Sequence, residues 1–279
     1  DLGFAPDSSF PLTYAEKGLL QVKLHGPGWE DLPLQAGRAL NVVPDKATYK
    51  GQRLEELLPV IEQSGVNYTE ESGSVTVLGL SKHSKDAAEG VNAIVGLAES
   101  LSLIQPHPAL LFIADAVGQD ATGAALFGEI KDEPSGALSF NIATLFIDKE
   151  RSEIGIDIRI PVLADKDALV ERLTEVAASY QLQYEEFDYL APLYVPLDSP
   201  LVSTLMKVYQ EETGDQTPAM SSGGATFART MENCVAYGAL FPGALQTEHQ
   251  ANERAKLEDL YRALEIYVET IRRLASKEA

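Results

Sequence analysis

Twice between residues 19 and 191 the spacing of apolar side chains switches from two to 3.6 and back to two, which restricts this segment to strands and helices in a set order. Leu19-Leu-Gln-Val-Lys-Leu24 alternates as a strand. Leu54, Leu57, Leu58 and Ile61, between Gly51 and Gly65, fall at helical spacing, and Val75-Thr-Val-Leu-Gly-Leu80 is again strand-like. A helix from Asp86 to about Leu103 would place Val91, Ile94, Val95, Leu97 and Leu101 on its apolar side. In the second run Ile154-Gly-Ile-Asp-Ile-Arg-Ile160 alternates, Asp165 to about Gln181 is amphipathic through Leu169, Leu173 and Val176, and Tyr184 to Leu190 reads as a strand. Two β-α-β units in succession predict an α+β layer, an antiparallel sheet with helices on one face.

The flanking segments follow another pattern. Residues 1 to about 17 are rich in Pro, Asp, Ser and Phe and predict an extended loop ending in Glu16-Lys17-Gly18. Pro192 to Pro196 reads as a connector. Asp198-Ser-Pro then offers an N-cap to a helix running through Glu212, with Leu201, Leu205, Val208 and Tyr209 spaced to pack. A last helix, from about Asn252 to Ala275, carries Leu257, Leu260, Leu264, Val268 and Ile271. The expected organisation is therefore an inserted domain, 19–191, within a discontinuous one formed by 1–18 and 192–279.

With 279 residues, 45% of them hydrophobic, the chain can fill two ordinary cores. Twenty-two Lys and Arg against 42 Asp and Glu give a net charge of −20, which opposes nonspecific binding to nucleic acid or to an anionic membrane. That acidity is spread along the chain, as on a solvated surface. Cys234, the one cysteine, excludes an intrachain disulfide and a multi-cysteine zinc site, and fits a cytoplasmic location. No apolar run approaches the ~20 residues needed to cross a bilayer.

Chemistry concentrates in a few segments. Met220-Ser-Ser-Gly-Gly-Ala-Thr-Phe-Ala-Arg229 offers a glycine loop whose N–H groups can approach a ligand closely. Phe241-Pro-Gly243 follows, and then Glu248-His-Gln-Ala-Asn-Glu253, whose His249 is of the type that binds metals. With Gly3-Phe-Ala-Pro-Asp7 they suggest half of a metal site. Each residue also has a plainer reading: Asp7 as a turn residue between prolines, His249 as a surface or capping residue, His83 as an exposed loop histidine, and Arg159 as a strand-surface charge. His25 and His107 match no motif and are expected to be structural or exposed.

The segments GGATFAR, NCVAYG, FPG and HQANE, together with GFAPDSSFPLTYAEKG at the start, resemble the bacterial dipeptidases of the PepV type. These are zinc enzymes of the acetylornithine deacetylase and succinyl-diaminopimelate desuccinylase family. The resemblance implies an α/β catalytic domain interrupted by a lid of two ferredoxin-like halves. It also implies two zinc ions, with manganese or cobalt as possible replacements, and a dipeptide substrate with a free N-terminus. By that resemblance Asp7 and His249 are ligands of different zinc ions, and His83 stabilises the oxyanion. Asn41, in Ala39-Leu-Asn-Val-Val-Pro44, and Arg159 hold the substrate carboxylate, and Gly223, Gly224 and Thr226 complete the cradle. Two departures are Ala87, where the family often has Pro, and Phe227, where Tyr is more common. Family members carry an HxD motif, a bridging Asp and a Glu-Glu pair ahead of the matching segment. The resemblance thus implies that this chain is the C-terminal part of a catalytic unit whose N-terminal half lies on further polypeptide. By itself it is expected to be inactive and metal-poor, and the intact protein monomeric. The alternatives are a noncatalytic peptide-binding or scaffold module, and a related aminoacylase or deacylase.

Overall fold

A computed structural model describes residues 2–245, 247 and 251–276. The chain divides into two units, Asp1–Lys17 with Ala191–Ala279, and Gly18–Leu190.

In the continuous unit, five antiparallel strands lie in the order Gln183–Leu190, Gly18–Pro27, Arg151–Ile160, Ser139–Ile147, Leu34–Ala36. The long strands put Leu20, Val22, Leu24, Ile154, Ile156, Ile158, Phe140 and Ile142 into one core, as their period of two requires. Helix Ala93–Ser102 and helix Lys166–Ser179, capped by Asp165, contribute to the same core. Four of the strands and these two helices have the order of one ferredoxin-like β-α-β-β-α-β arrangement. Three further strands, Lys46–Tyr49, Ser74–Leu78 and Tyr68–Glu71, form a separate three-stranded antiparallel sheet beside helix Leu54–Ser64.

This corrects the expectation of two successive β-α-β units. The strand that opens the first predicted unit, Gly18–Pro27, pairs on both sides with strands of the second. Periodicity identifies which face of a strand is buried, and it carries no information about the neighbouring strand. The helix expected to start at Asp86 also differs. Residues Ser84–Glu89 form a 3₁₀ turn, Gly90 is extended, and Val91 bridges Leu80 and is exposed, so the α-helix begins only at Ala93. The side chain of Asn92 caps it by accepting the N–H groups of Ile94 and Val95. Nine of its ten residues are buried. Gly96 lets it approach the smaller sheet, where an added Cβ would stand 3.3 Å from Val66 and 3.4 Å from Val77.

In the discontinuous unit the strand Thr13–Glu16 pairs with Leu193–Tyr194, Met220–Ser222 and Cys234–Ala236, and the last of these also pairs with Gly3–Ala5. Helix Pro200–Thr213, capped by Ser199, and helix Leu257–Ala275 belong to the same unit. Phe4, Phe10, Tyr209, Tyr237 and Tyr267 pack there as a connected aromatic cluster, with ring centroids 5.2–6.0 Å apart. The last helix buries Ala263, Ile266 and Thr270, whereas Leu257, Leu260, Tyr261, Leu264, Val268 and Ile271 form an exposed apolar stripe. Among the described residues no helix is long and apolar enough to cross a membrane.

Candidate functional site

Within the otherwise isoleucine-rich strand Arg151–Ile160, Asp157 and Arg159 are two residues apart and therefore share the face opposite the apolar core. Both are buried, Asp157 at 0% and Arg159 at 3% exposure, so Arg159 is not a strand-surface charge. The Arg159 guanidinium donates to Asp157 through Nε (2.6 Å) and Nη2 (3.0 Å), which fixes its plane. Gln21 on the adjacent strand also donates to Asp157 Oδ2, at 3.1 Å.

Across the other ladder, Asn141 stands opposite Asp157 and Ser139 opposite Arg159. The carboxamide of Asn141 donates to Ser84 Oγ (2.9 Å) and to the carbonyl of Val42 (3.0 Å), and it accepts from Asn92 (3.1 Å). Ser84 is completely buried. Its N–H donates to the Asn41 carbonyl at 2.9 Å, its hydroxyl donates to the Leu40 carbonyl at 3.0 Å, and its carbonyl accepts from the Ser139 hydroxyl.

His83 and Asn41 are presented by this network. Val42 and His83 bridge as an antiparallel pair, and the Val43 N–H donates to the Lys82 carbonyl at 2.8 Å. The imidazole is exposed to solvent, and its Nδ1 accepts the Lys85 N–H at 3.1 Å, which in the neutral ring puts the proton on Nε2. Partial desolvation of the ring lowers its pKa below the ordinary 6.5, and the nearby positive charges of Arg159 and Lys85 lower it further. At neutral pH His83 is thus an uncharged N–H donor.

A second group is assembled in the discontinuous unit. Asp7 is exposed, and its Oδ2 accepts the N–H of Phe227 at 2.8 Å, which joins it to the glycine loop. Gly224 is held by the Ser222 hydroxyl at 3.0 Å. The Thr226 hydroxyl donates to Glu16 and accepts from the Ala228 N–H at 3.2 Å, capping the short 3₁₀ turn Phe227–Thr230. Gly223 is half-buried beside Gly224. The structure therefore brings Asn41, His83 and Arg159 together in one unit, and Asp7, Gly223, Gly224 and Thr226 together in the other. His249 lies outside the described residues.

Four residues that position these groups lack a local sequence signal. Asn141, Ser84 and Ser139 are ordinary polar residues until strand pairing aligns them. Glu16 looks like the end of a loop, yet it is fully buried against Arg229. Asp157 and Arg159, two apart in an apolar strand, must share a face, but their spacing does not tell that this face is buried. Of the unassigned histidines, His107 is buried and caps Pro108–Leu111, and His25 is paired with Glu185 at 2.7 Å.

A zinc shell needs three or four protein donors. Among the described residues no group of three or more His, Cys, Asp or Glu side chains converges. Asp7 supplies one suitable oxygen donor and does not by itself constitute a metal site.

The model of peptidase family M20/M25/M40 matches residues 15–273, which span both units. The chain belongs to this family. The M20 relatives include "Putative dipeptidase YtjP" of Bacillus subtilis, 33% identical over 298 residues and covering 98% of this chain. "Putative dipeptidase SAUSA300_1697" of Staphylococcus aureus is 30% identical and covers 99% of it. In both cases the chain spans 64% of the relative's length. The crystal structure of aminoacylhistidine dipeptidase from Vibrio alginolyticus superposes over 96% of this chain and 65% of its own, with a TM-score of 0.51 at 12% identity, a likeness of fold. The mixed α/β fold is thus that of M20 peptidases.

Proposed function

We propose that the whole protein is a metal-dependent dipeptidase of the PepV type, acting on dipeptides with a free N-terminus. The observation that carries this reading is that one set of hydrogen bonds through Ser84 and Asn141 fixes the Asn41 and His83 segments, and that Asn141 and Ser139 stand opposite Asp157 and the buried Arg159 on the paired strand. A neutral imidazole N–H beside a fixed guanidinium suits a substrate whose carbonyl develops negative charge and whose end is a carboxylate. The dipeptidase names of the relatives support the same substrate class.

In this reading the continuous unit is the lid. His83 donates to the oxyanion, and Asn41 and Arg159 hold the carboxylate. Gly223, Gly224 and Thr226 shape the cradle, while Asp7 and His249 each contribute to one of two zinc ions. The metal would polarise the peptide carbonyl and lower the pKa of a bound water. The remaining ligands and the general base would come from polypeptide that the relatives carry beyond the matched span. The exposed stripe on helix Leu257–Ala275 is a surface that such polypeptide would cover. The assembled protein would be monomeric and cytoplasmic, and the 279-residue chain alone would be inactive.

The test is hydrolysis by the whole protein, loaded in turn with zinc, manganese and cobalt, of dipeptides, tripeptides and N-acyl amino acids. Dipeptide turnover that a chelator abolishes is the expected result. Turnover of N-acyl amino acids alone would replace this reading with a deacylase, and binding without turnover under every metal would replace it with a noncatalytic module.

A further inference from the structure

Arg229 closes the glycine-rich motif, and its guanidinium reaches several acceptors in the discontinuous unit. Nε and Nη2 meet Glu16 Oε2 at 3.1 and 3.0 Å. Nη2 also donates to the carbonyls of Gly224 and Lys17, each at 3.1 Å, and Nη1 donates to the carbonyl of Ala191 at 2.8 Å. Lys17 and Ala191 are the residues at which the chain leaves this unit and re-enters it. Glu16, with no exposed surface, also accepts the N–H of Thr226 at 3.0 Å and its hydroxyl. One buried ion pair therefore holds both chain crossings and both ends of the Gly224–Thr226 turn.

Burial of such a pair is not explained by stability. The desolvation of two charges offsets most of their attraction, and neutral replacements are often as stable. What a planar guanidinium adds is fixed geometry, since its donors diverge at set angles and can hold separate backbone carbonyls at once. A lysine would keep the charge and lose that geometry.

We infer that Arg229, with Glu16 as its counter-charge, is a positioning residue that ties the Gly224–Thr226 turn to the two chain crossings, so that the shape of the turn depends on theirs. This rests on reading the turn as part of the substrate cradle.

The variants E16Q/R229M and R229K, made in the whole protein, test it. The double variant leaves no uncompensated charge and is expected to fold, as judged by far-UV circular dichroism and a cooperative unfolding transition. Its amides over residues 222–226 should exchange with solvent about tenfold faster, corresponding to the loss of roughly one hydrogen bond. Exchange in helix Pro200–Thr213 should stay as in the parent. KM for a dipeptide should rise about tenfold with kcat within about threefold, as when binding shared by ground and transition states is lost. R229K should show the same changes to a smaller degree, and it decides the matter if the double variant fails to fold. Parental exchange over 222–226 overturns the inference, and faster exchange with an unchanged KM overturns its link to substrate. If the parent hydrolyses no dipeptide, the proposed function falls, and the exchange measurement alone decides the role of Arg229.

Discussion

At Asp157 a carboxylate with no exposed surface accepts hydrogen bonds from Arg159 and Gln21, so its removal takes this carboxylate away from a buried guanidinium. Asp157→Leu is therefore expected to lower stability by about 3–5 kcal/mol, read from the urea midpoint, and Asp157→Leu with Arg159→Met to recover most of it. A loss of under about 1 kcal/mol, the range of an exposed pair, would contradict the burial described here. The residue scale is also where the sequence was most informative about chemistry. Asp157 and Arg159 declare a shared face through their spacing alone. His83 and Asn41 are 42 positions apart, and only the bridge between Val42 and His83 makes them neighbours.

The short helix Pro108–Leu111 depends on a histidine that sequence inspection could not place. His107 Nδ1 accepts the Ala109 N–H at 3.1 Å, and Nε2 lies 3.1 Å from the Pro27 carbonyl, so the neutral ring with its proton on Nε2 satisfies both contacts. Burial lowers its pKa from the ordinary 6.5, outweighing the opposite effect of the Pro27 carbonyl. Because the folded pKa lies below the unfolded one, the unfolded chain takes up the proton first as pH falls below about 6.5, and stability declines over that window. His83, also lowered, acts in the same direction. The urea midpoint should thus fall between pH 7.5 and 5.5. His107→Asn keeps an acceptor for the cap and should be about 1 kcal/mol less stable at pH 7.5 with a shallower decline. An equally steep decline in the variant would mean that His107 does not titrate as described. Of the elements themselves, helix Lys166–Ser179 was legible from Asp165 and its apolar spacing. The start of helix Ala93–Ser102 was not, since the break at Gly90 depends on the bridge between Leu80 and Val91.

For the molecule as a whole, the stripe of Leu257, Leu260, Leu264, Val268 and Ile271 is the largest departure from an ordinary helix, because a helix with two apolar faces has one too many for the core shown. L264K/I271K in the 279-residue chain should reduce binding of a hydrophobic fluorescent dye and change stability by no more than about 0.5 kcal/mol. In the whole protein the same pair should be destabilising, and if it is not, further polypeptide does not cover this face. Some properties followed from the sequence alone: the alternation of strands and helices, the cap offered within Asp198-Ser-Pro, and the motifs that place the chain among M20 peptidases. These are local, since a period of two or 3.6, a cap or a short motif involves residues within one or two turns of each other. Tertiary structure decided that Gly18–Pro27 lies between Arg151–Ile160 and Gln183–Leu190, that Asn141 and Ser84 hold the His83 loop, and that Glu16 and Arg229 meet across 213 residues. Strand neighbours and buried polar partners distant in sequence are selected by the whole core at once, and no short stretch of sequence contains both members of such a pair.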